Sequence, residues 1–421
     1  MLKSRGYDGR LFLAMLFWSS CAMAVVAQSL TLPPDLRQEI PFDFDELSKA
    51  PTHDWLSQED SVWSLLYEGE SFNGKPTQVF AYYASPATLT GQPTQNQFPG
   101  VVLLHGGGGT AFAVWVREWA QRGYAAIAMD LGGAQPLPES EQNYPWGTQS
   151  TPLPDGGPDD TDVYKFYSLE EDVSQQWQFH AIANAIRAHS LLRSFTETDS
   201  SRTAITGISW GGYLTNIVAS IDRRFKAAVP VYGCGFLGEK STWMNQFDSL
   251  GMDQAGKWLR MWDPSSYVPY GQVPMLYVNG TNDFAYHVES WQQTIDLASK
   301  ASQTLIHEMK HNHEKGAEPP EIANFIDRML ERDIQLLTIT APEKVGSWYR
   351  CEVPEPHADA LEVTFIFTTE SKPNQERQWQ QSEAQWKDGA AFLQSKQDIK
   401  ACYFQFTDTD GIRWSSPVSF Y

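Results

Sequence analysis

The segment Gly207-Ile208-Ser209-Trp210-Gly211 has the pattern Gly-x-Ser-x-Gly, which places a serine at a sharp turn between a strand and a helix. Backbone segments crowd at such a turn, so glycines must flank the serine, and the hydroxyl is pushed out at the end of the strand. Thr203 to Ile208 reads as an apolar strand and Tyr213 to Ser220 as a helix, the context the pattern requires. A serine hydroxyl is a poor nucleophile until a base accepts its proton, and an acid must then orient that base. Asp283 stands 74 positions after Ser209, where Asn279-Gly280-Thr281-Asn282 leads out of the apolar run Met275 to Val278. Asp253 and Asp263 are the weaker alternatives. His311 and His313 both follow the run Leu305 to Met309. His313, 30 positions after Asp283, is the expected base, with His311 as the alternative and otherwise a supporting or substrate-contacting residue. His307 falls inside the run and is expected to pack.

Acyl transfer through a serine develops a negative oxygen, which needs fixed donors. The amide of Trp210, just after the nucleophile, is one candidate. The run His105-Gly106-Gly107-Gly108-Gly109 offers others, and Gly107 and Gly108 are the expected donors, with His105 orienting the loop. A glycine run can also cradle phosphate, but the Lys-Ser/Thr of a P-loop is missing. His307-Glu308-x-x-His311 has the spacing of a zinc site, yet that spacing works only on a helix, and Thr304-Leu305-Ile306 reads as strand. Neither a metal nor a cofactor is expected.

These residues need a frame that brings strand ends together. Val101 to Leu104, Tyr124 to Met129, Thr203 to Ile208, Ala227 to Tyr232, Met275 to Val278 and Leu305 to Met309 read as buried strands. Helical segments at Phe112 to Gln121, Leu169 to Arg193 and Pro320 to Glu331 alternate with them. Alternation of this kind implies an α/β fold, a mostly parallel sheet flanked by helices, with its site at the carboxyl ends of the strands. The catalytic domain is expected over residues 76–342, after an irregular lead-in at 28–75. The stretch 135–162 is rich in Pro, Gly, Asp and Ser and reads as an insertion, either a surface loop or a lid that presents Tyr144 and Trp146 to substrate.

From about 343 the period becomes two. Leu361, Val363, Phe365 and Phe367 alternate with Glu362, Thr364, Ile366 and Thr368, and Asp410-Gly411 is a turn signal. Residues 343–421 are therefore expected to form a small β-sandwich-like domain. Cys351 and Cys402 both belong to it and are the expected disulfide, while Cys234 is expected to be a free buried thiol. The first 27 residues combine Lys3, Arg5 and Arg10 with an apolar run from Leu11 to Val26 and small residues at Ala22, Ala24 and Ala27, the layout of a secretory signal. Cleavage after Ala27 and a periplasmic or secreted location are expected, with no membrane span thereafter. Trp18-Ser19-Ser20 is a poor lipobox for acylation of Cys21. A formal net charge of −20 argues against nucleic acid as a partner.

The four segments at 105–109, 207–212, 279–283 and 311–313 resemble those of the acetylxylan esterase, dienelactone hydrolase and prolyl oligopeptidase branch of the α/β-hydrolases. The similarity covers about residues 76–335. It implies an α/β-hydrolase fold, Ser209 and Asp283 in catalysis, and a histidine placed before a glutamate, which here is His313 before Glu314. Acetylxylan esterases of the cephalosporin-deacetylase kind often carry a tyrosine in the oxyanion segment, where this chain has glycines. An ester hydrolase acting on a small-molecule or oligosaccharide ester is the leading expectation. A prolyl-oligopeptidase-like peptidase is the rival enzyme, although about 75 residues before the first hydrolase strands are too few for a β-propeller. A non-catalytic binding protein on the same scaffold is the third reading.

Overall fold

The computed structural model describes residues 29–92, 94–331, 336, 339–353 and 362–421, so the expected signal, Cys21 and Leu361 lie outside it. In chain order its strands are β1 (His53–Ser57), β2 (Trp63–Glu68), β3 (Gln78–Ala84), β4 (Phe98–Leu104), β5 (Ala125–Met129), β6 (Ala134–Pro136), β7 (Ser150–Pro152), β8 (Thr198–Ile208), β9 (Ala227–Val231), β10 (Met275–Gly280) and β11 (Ala301–Ile306). Nine of them form one sheet in the order β1-β2-β3-β5-β4-β8-β9-β10-β11, and β6 and β7 pair separately as a small antiparallel ribbon. From β5 to β11 every neighbouring pair is parallel, while β1, β2 and β3 run antiparallel at one side. β5, β9 and β10 are buried at every position, as strands covered by helices on both faces must be.

The helix Trp210–Ile221 is buried along its whole length, and Trp177–Ser194 along most of it. The latter is shorter than the expected 169–193, because Asp172 caps a separate 3₁₀ turn, Val173–Gln175, before it. The expected irregular lead-in is corrected in part: residues 53–68 supply β1 and β2 to the sheet. β1 has no buried position and β2 only Leu65 and Tyr67, so neither shows the continuous apolar run that marks the central strands. A helix that no pattern announced, Met244–Trp262, kinks at Gly251, whose φ is 72°. Among the described residues no helix is long and apolar enough to cross a membrane.

The C-terminal strands are β12 (Glu343–Val345), β13 (Trp348–Glu352), β14 (Glu362–Thr368), β15 (Gln380–Glu383), β16 (Gln385–Lys387), β17 (Ala390–Gln394), β18 (Ala401–Thr407), β19 (Arg413–Ser415) and β20 (Ser419–Phe420). They form two antiparallel sheets, β12-β13-β17-β16 and β15-β14-β18-β19 with β20 beside β18. Tyr349, Cys351, Phe365, Phe404 and Phe406 fill the space between them. On the other face of β14 and β18, Ile366 and Tyr403 join the apolar core around the nine-stranded sheet. The C-terminal sheets thus share part of the main apolar core.

The expected disulfide is not formed. Cys351 and Cys402 are both buried and free, on strands of opposite sheets. Their surroundings are apolar, so burial pushes both thiols up, that of Cys402 to about 12, and the neutral thiols pack as small apolar groups. Cys234 is also free and buried, as expected.

Candidate active site

β8 ends at Ile208, and the chain turns into the helix Trp210–Ile221 through Ser209 alone, whose φ of 60° and ψ of −116° lie in a region that favours glycine. The turn can be this tight only because its neighbours lack side chains. A Cβ on Gly207 would stand 2.2 Å from the Gly211 carbonyl oxygen, and one on Gly211 would stand 2.0 Å from that of Leu104. Ser209 N–H donates to Val231 O at 2.9 Å, which ties the elbow to the end of β9.

The hydroxyl of Ser209 lies 2.9 Å from His311 Nε2, and His311 Nδ1 lies 2.5 Å from Asp283 Oδ2. The other carboxylate oxygen accepts from the amides of Ala285 at 2.8 Å and Tyr286 at 2.7 Å. Asp283 is therefore a buried carboxylate with both oxygens satisfied, and it points the imidazole at the serine. The ring of Tyr232 stacks on His311 at 4.2 Å and Phe284 packs at 4.9 Å, so the base has little freedom to swing.

The structure thus puts His311, not the expected His313, between the serine and the acid. After β11 the chain turns back through Glu308, which has a φ of 53°, and Asn312 then caps the helix His313–Ala317. His311 is left at the tip of the loop over Ser209. His313, as the first helical residue, faces the glycine run, where its Nε2 accepts from Gly106 N–H at 3.1 Å. Burial holds His313 down to about 4, so its imidazole is neutral. His307 does not pack inside the strand but caps the interdomain seam, with Nε2 3.2 Å from Trp379 O.

The glycine run offers fewer open donors than expected. Gly106 N–H is taken by His313, and Gly109 N–H by Gly106 O at 3.0 Å. Gly108 N–H donates to Asp160 Oδ2 at 2.9 Å, which removes it from the expected pair. Gly107 N–H has no hydrogen-bond partner among the described residues, and Trp210 N–H stands in the first turn of its helix, where no intrahelical acceptor exists. These two amides are the open ones beside Ser209. His105 orients the loop as expected: its Nδ1 lies 2.7 Å from Gly106 O, and its Nε2 accepts from Leu131 N–H at 2.9 Å.

Ser209 opens into a cavity of about 500 Å³. Trp210, Trp243 and Phe284 supply its aromatic side and Asp160, Thr161 and Lys165 its polar side. Neither Tyr144 nor Trp146 lines it. Tyr144 is exposed, whereas Trp146 is buried against Phe112 and Trp115, where it fastens the insertion to the helix Ala113–Gln121. The insertion reaches the site through Asp160 instead. Asp160 and Lys165 were hidden in the sequence because one precedes and the other ends a helix of only four residues, Asp162–Lys165. Trp243 lies in a stretch without a clear period, and Phe284 has only its place beside Asp283 to mark it. Among the described residues no group of three or more His, Cys, Asp or Glu is arranged to hold a metal ion.

The C-terminal domain touches the loops that carry the acid and the base. Asn374 Nδ2 donates to Asp283 O at 2.8 Å, and Asn282 Nδ2 donates to Arg377 O at 2.6 Å. Arg377 in turn pairs with Glu289 at 2.5 Å. Along the β11 edge, Leu305 N–H donates to Ser415 Oγ at 2.9 Å and Tyr403 Oη–H to Leu305 O at 3.0 Å.

Residues 167–331, which contain the serine, the acid and both histidines, match the prolyl oligopeptidase family. An uncharacterized peptidase, YuxL, of Bacillus subtilis (strain 168) is 24% identical over 284 residues, 63% of this chain but 38% of that protein, so the chain spans well under half of its relative. Among solved structures, the acetyl xylan esterase from Paenibacillus sp. R4 superposes with a TM-score of 0.54 at 20% identity, covering 71% of this chain and 95% of that one. Acetyl xylan esterase 1 from Thermoanaerobacterium sp. JW/SL YS485 superposes with a TM-score of 0.51 at 14% identity, covering 73% and 98%. At these identities the superpositions establish a shared fold.

Proposed function

We propose that this chain, a serine hydrolase of the α/β-hydrolase superfamily in the branch of acetylxylan esterases, dienelactone hydrolases and prolyl oligopeptidases, cleaves carboxylic esters through an acyl-serine intermediate. The observation that carries the reading is the unbroken run of hydrogen bonds from Ser209 through His311 to Asp283, at the mouth of a cavity with two open amides. In the first step His311 Nε2 takes the Ser209 proton as Oγ bonds to the ester carbonyl carbon. The carbonyl electron pair moves to oxygen, where Gly107 N–H and Trp210 N–H receive the charge. Asp283 stays ionised and stabilises the imidazolium. His311 then returns the proton to the departing alcohol as the tetrahedral intermediate collapses. Water repeats the sequence on the acyl-serine and releases the acid.

Ester rather than peptide cleavage is supported by a likeness that extends over nearly the whole of the two acetyl xylan esterases. The alcohol is proposed to be a sugar or another small polyol, seated against Trp243 and Phe284. The match to the prolyl oligopeptidase family favours peptide hydrolysis as the second reading. Action outside the cytoplasm is part of the proposal, supported by the basic and apolar pattern of the first 27 residues. Purified protein assayed side by side on an aryl acetate, acetylated xylo-oligosaccharide and prolyl peptides tests it. Ester turnover is expected, and peptide cleavage without ester turnover would overturn the reading.

A further inference from the structure

Lys165 is 5% exposed and still lines the cavity that holds Ser209. Its ammonium lies 3.1 Å from Asp160 Oδ2, 4.9 Å from the centroid of the Trp210 ring and 4.8 Å from that of Trp177. A Cβ on Gly107 would meet Lys165 Nζ at 3.5 Å. The charge is therefore set against both residues that carry the open amides, Gly107 and Trp210. Asp160 fixes this arrangement from two sides, since the same oxygen that pairs with Lys165 accepts from Gly108 N–H.

A buried ion pair is weak evidence for stability, because apolar residues of similar volume often do as well. Next to a developing anion the balance changes. A fixed positive charge in a site of low dielectric stabilises that anion more than it would in water, with no reorganisation at the moment of reaction. The ammonium's other hydrogens are free of carboxylate oxygens, as Asp160 is its one ion-pair partner among the described residues.

We propose that Lys165 supplies a positive charge to the oxyanion site, beside the Gly107 and Trp210 amides, and that Asp160 positions it there. The proposal rests on the serine-hydrolase reading. It adds to the two amides a cation carried by the short helix Asp162–Lys165, just after the insertion, and it predicts an effect on the tetrahedral species that is absent from substrate binding.

The test uses the full chain. Lys165→Met should lower kcat by about 10²-fold with KM little changed, the loss expected when one oxyanion stabiliser is removed. The inhibition constant of phenylboronic acid, which forms a tetrahedral anion on the serine, should rise by a comparable factor. To separate charge from shape, Lys165→Cys is alkylated with 2-bromoethylamine, the thiolate displacing bromide to leave an ammonium at nearly the native length. Iodoacetamide gives a neutral side chain of similar size; Cys234, Cys351 and Cys402 are buried away from both reagents, and Cys21 is replaced by serine in the protein used. With modification confirmed by mass, the aminoethyl protein should recover kcat and boronate affinity and the carbamoylmethyl protein should not. Equal activity of the two adducts, high or low, or a Lys165→Met enzyme with native kcat, overturns the proposal. Wild-type protein that hydrolyses no ester and fails to label Ser209 with a fluorophosphonate would instead overturn the reading beneath it.

Discussion

The side-chain amide of Asn374 donates to the backbone carbonyl of Asp283 at 2.8 Å, so a residue of the β-sandwich holds the loop that carries the acid of the candidate site. Asn374 is almost fully buried, and the neighbouring Asn282 Nδ2 donates to Arg377 O at 2.6 Å, so the loop is held on the sandwich side at two adjacent residues. Asn374→Ala should cost about 1–3 kcal/mol by leaving a buried carbonyl unpaired. It should also lower kcat by roughly 10-fold to 10²-fold, since small misplacements of catalytic groups are expensive. Steady-state kinetics together with thermal unfolding check this, and an enzyme destabilised to this extent with native kcat would show that the contact is only structural.

The two histidines should separate cleanly. His311→Ala removes the group bonded to both Ser209 and Asp283 and should cost on the order of 10⁶ in kcat, as Ser209→Ala should. His313→Ala frees the Gly106 amide and loosens the glycine run, so a loss of about 10-fold to 10²-fold is expected. Aryl acetate kinetics on the three variants decide it, and a dead His313→Ala beside an active His311→Ala would reverse the roles.

Ser209 holds a conformation that favours glycine, and such strain costs about 1–3 kcal/mol in a non-glycine residue. Ser209→Gly should therefore raise the unfolding free energy by about 1 kcal/mol while abolishing ester hydrolysis. Chemical denaturation of the inactive variant measures the gain. A loss of stability would mean that the serine's own contacts outweigh the strain.

Burial holds His180, His189 and His313 down to about 4, whereas an unfolded histidine titrates near 6.5. Below pH 6.5 the unfolded chain therefore binds more protons at these sites than the folded one. Stability should fall as pH drops from 6.5 to about 4 and be insensitive to these groups below that. His313 alone accounts for about 3 kcal/mol across this window. Denaturation midpoints measured from pH 7 to pH 4 should show the decline, and His313→Gln should flatten it.

Cys234, Cys351 and Cys402 are buried thiols, each pushed up by desolvation. They should be silent to a thiol-disulfide reagent in the native protein and react on unfolding. Three equivalents of thiol from these positions without reductant are expected, and recovery of only one would mean that two are bridged.

The local chemistry was legible in the sequence because it is encoded locally. Gly207, Ser209 and Gly211 mark the elbow within five residues, although the crowding at Gly211 comes from Leu104 on a neighbouring strand, and apolar runs such as Ala125–Met129 specify strands buried on both faces. Asp283 could be found because it closes a strand of that sheet. The fold class and the sandwich followed from a change of period near residue 343.

What tertiary structure decided are choices between near-equals. His311 and His313 stand two positions apart, and only the turn at Glu308 and the cap at Asn312 determine which ring faces Ser209. Gly107 and Gly108 are adjacent, and one is withdrawn because Asp160, 52 positions away, takes its amide. Trp146 looked available to substrate in sequence, but its apolar surface is better buried against Phe112 and Trp115. Lys165 and Asn374 carry no signature of their own. Their roles arise where segments remote in the chain meet, and composition and period, which report short-range order, do not register such meetings.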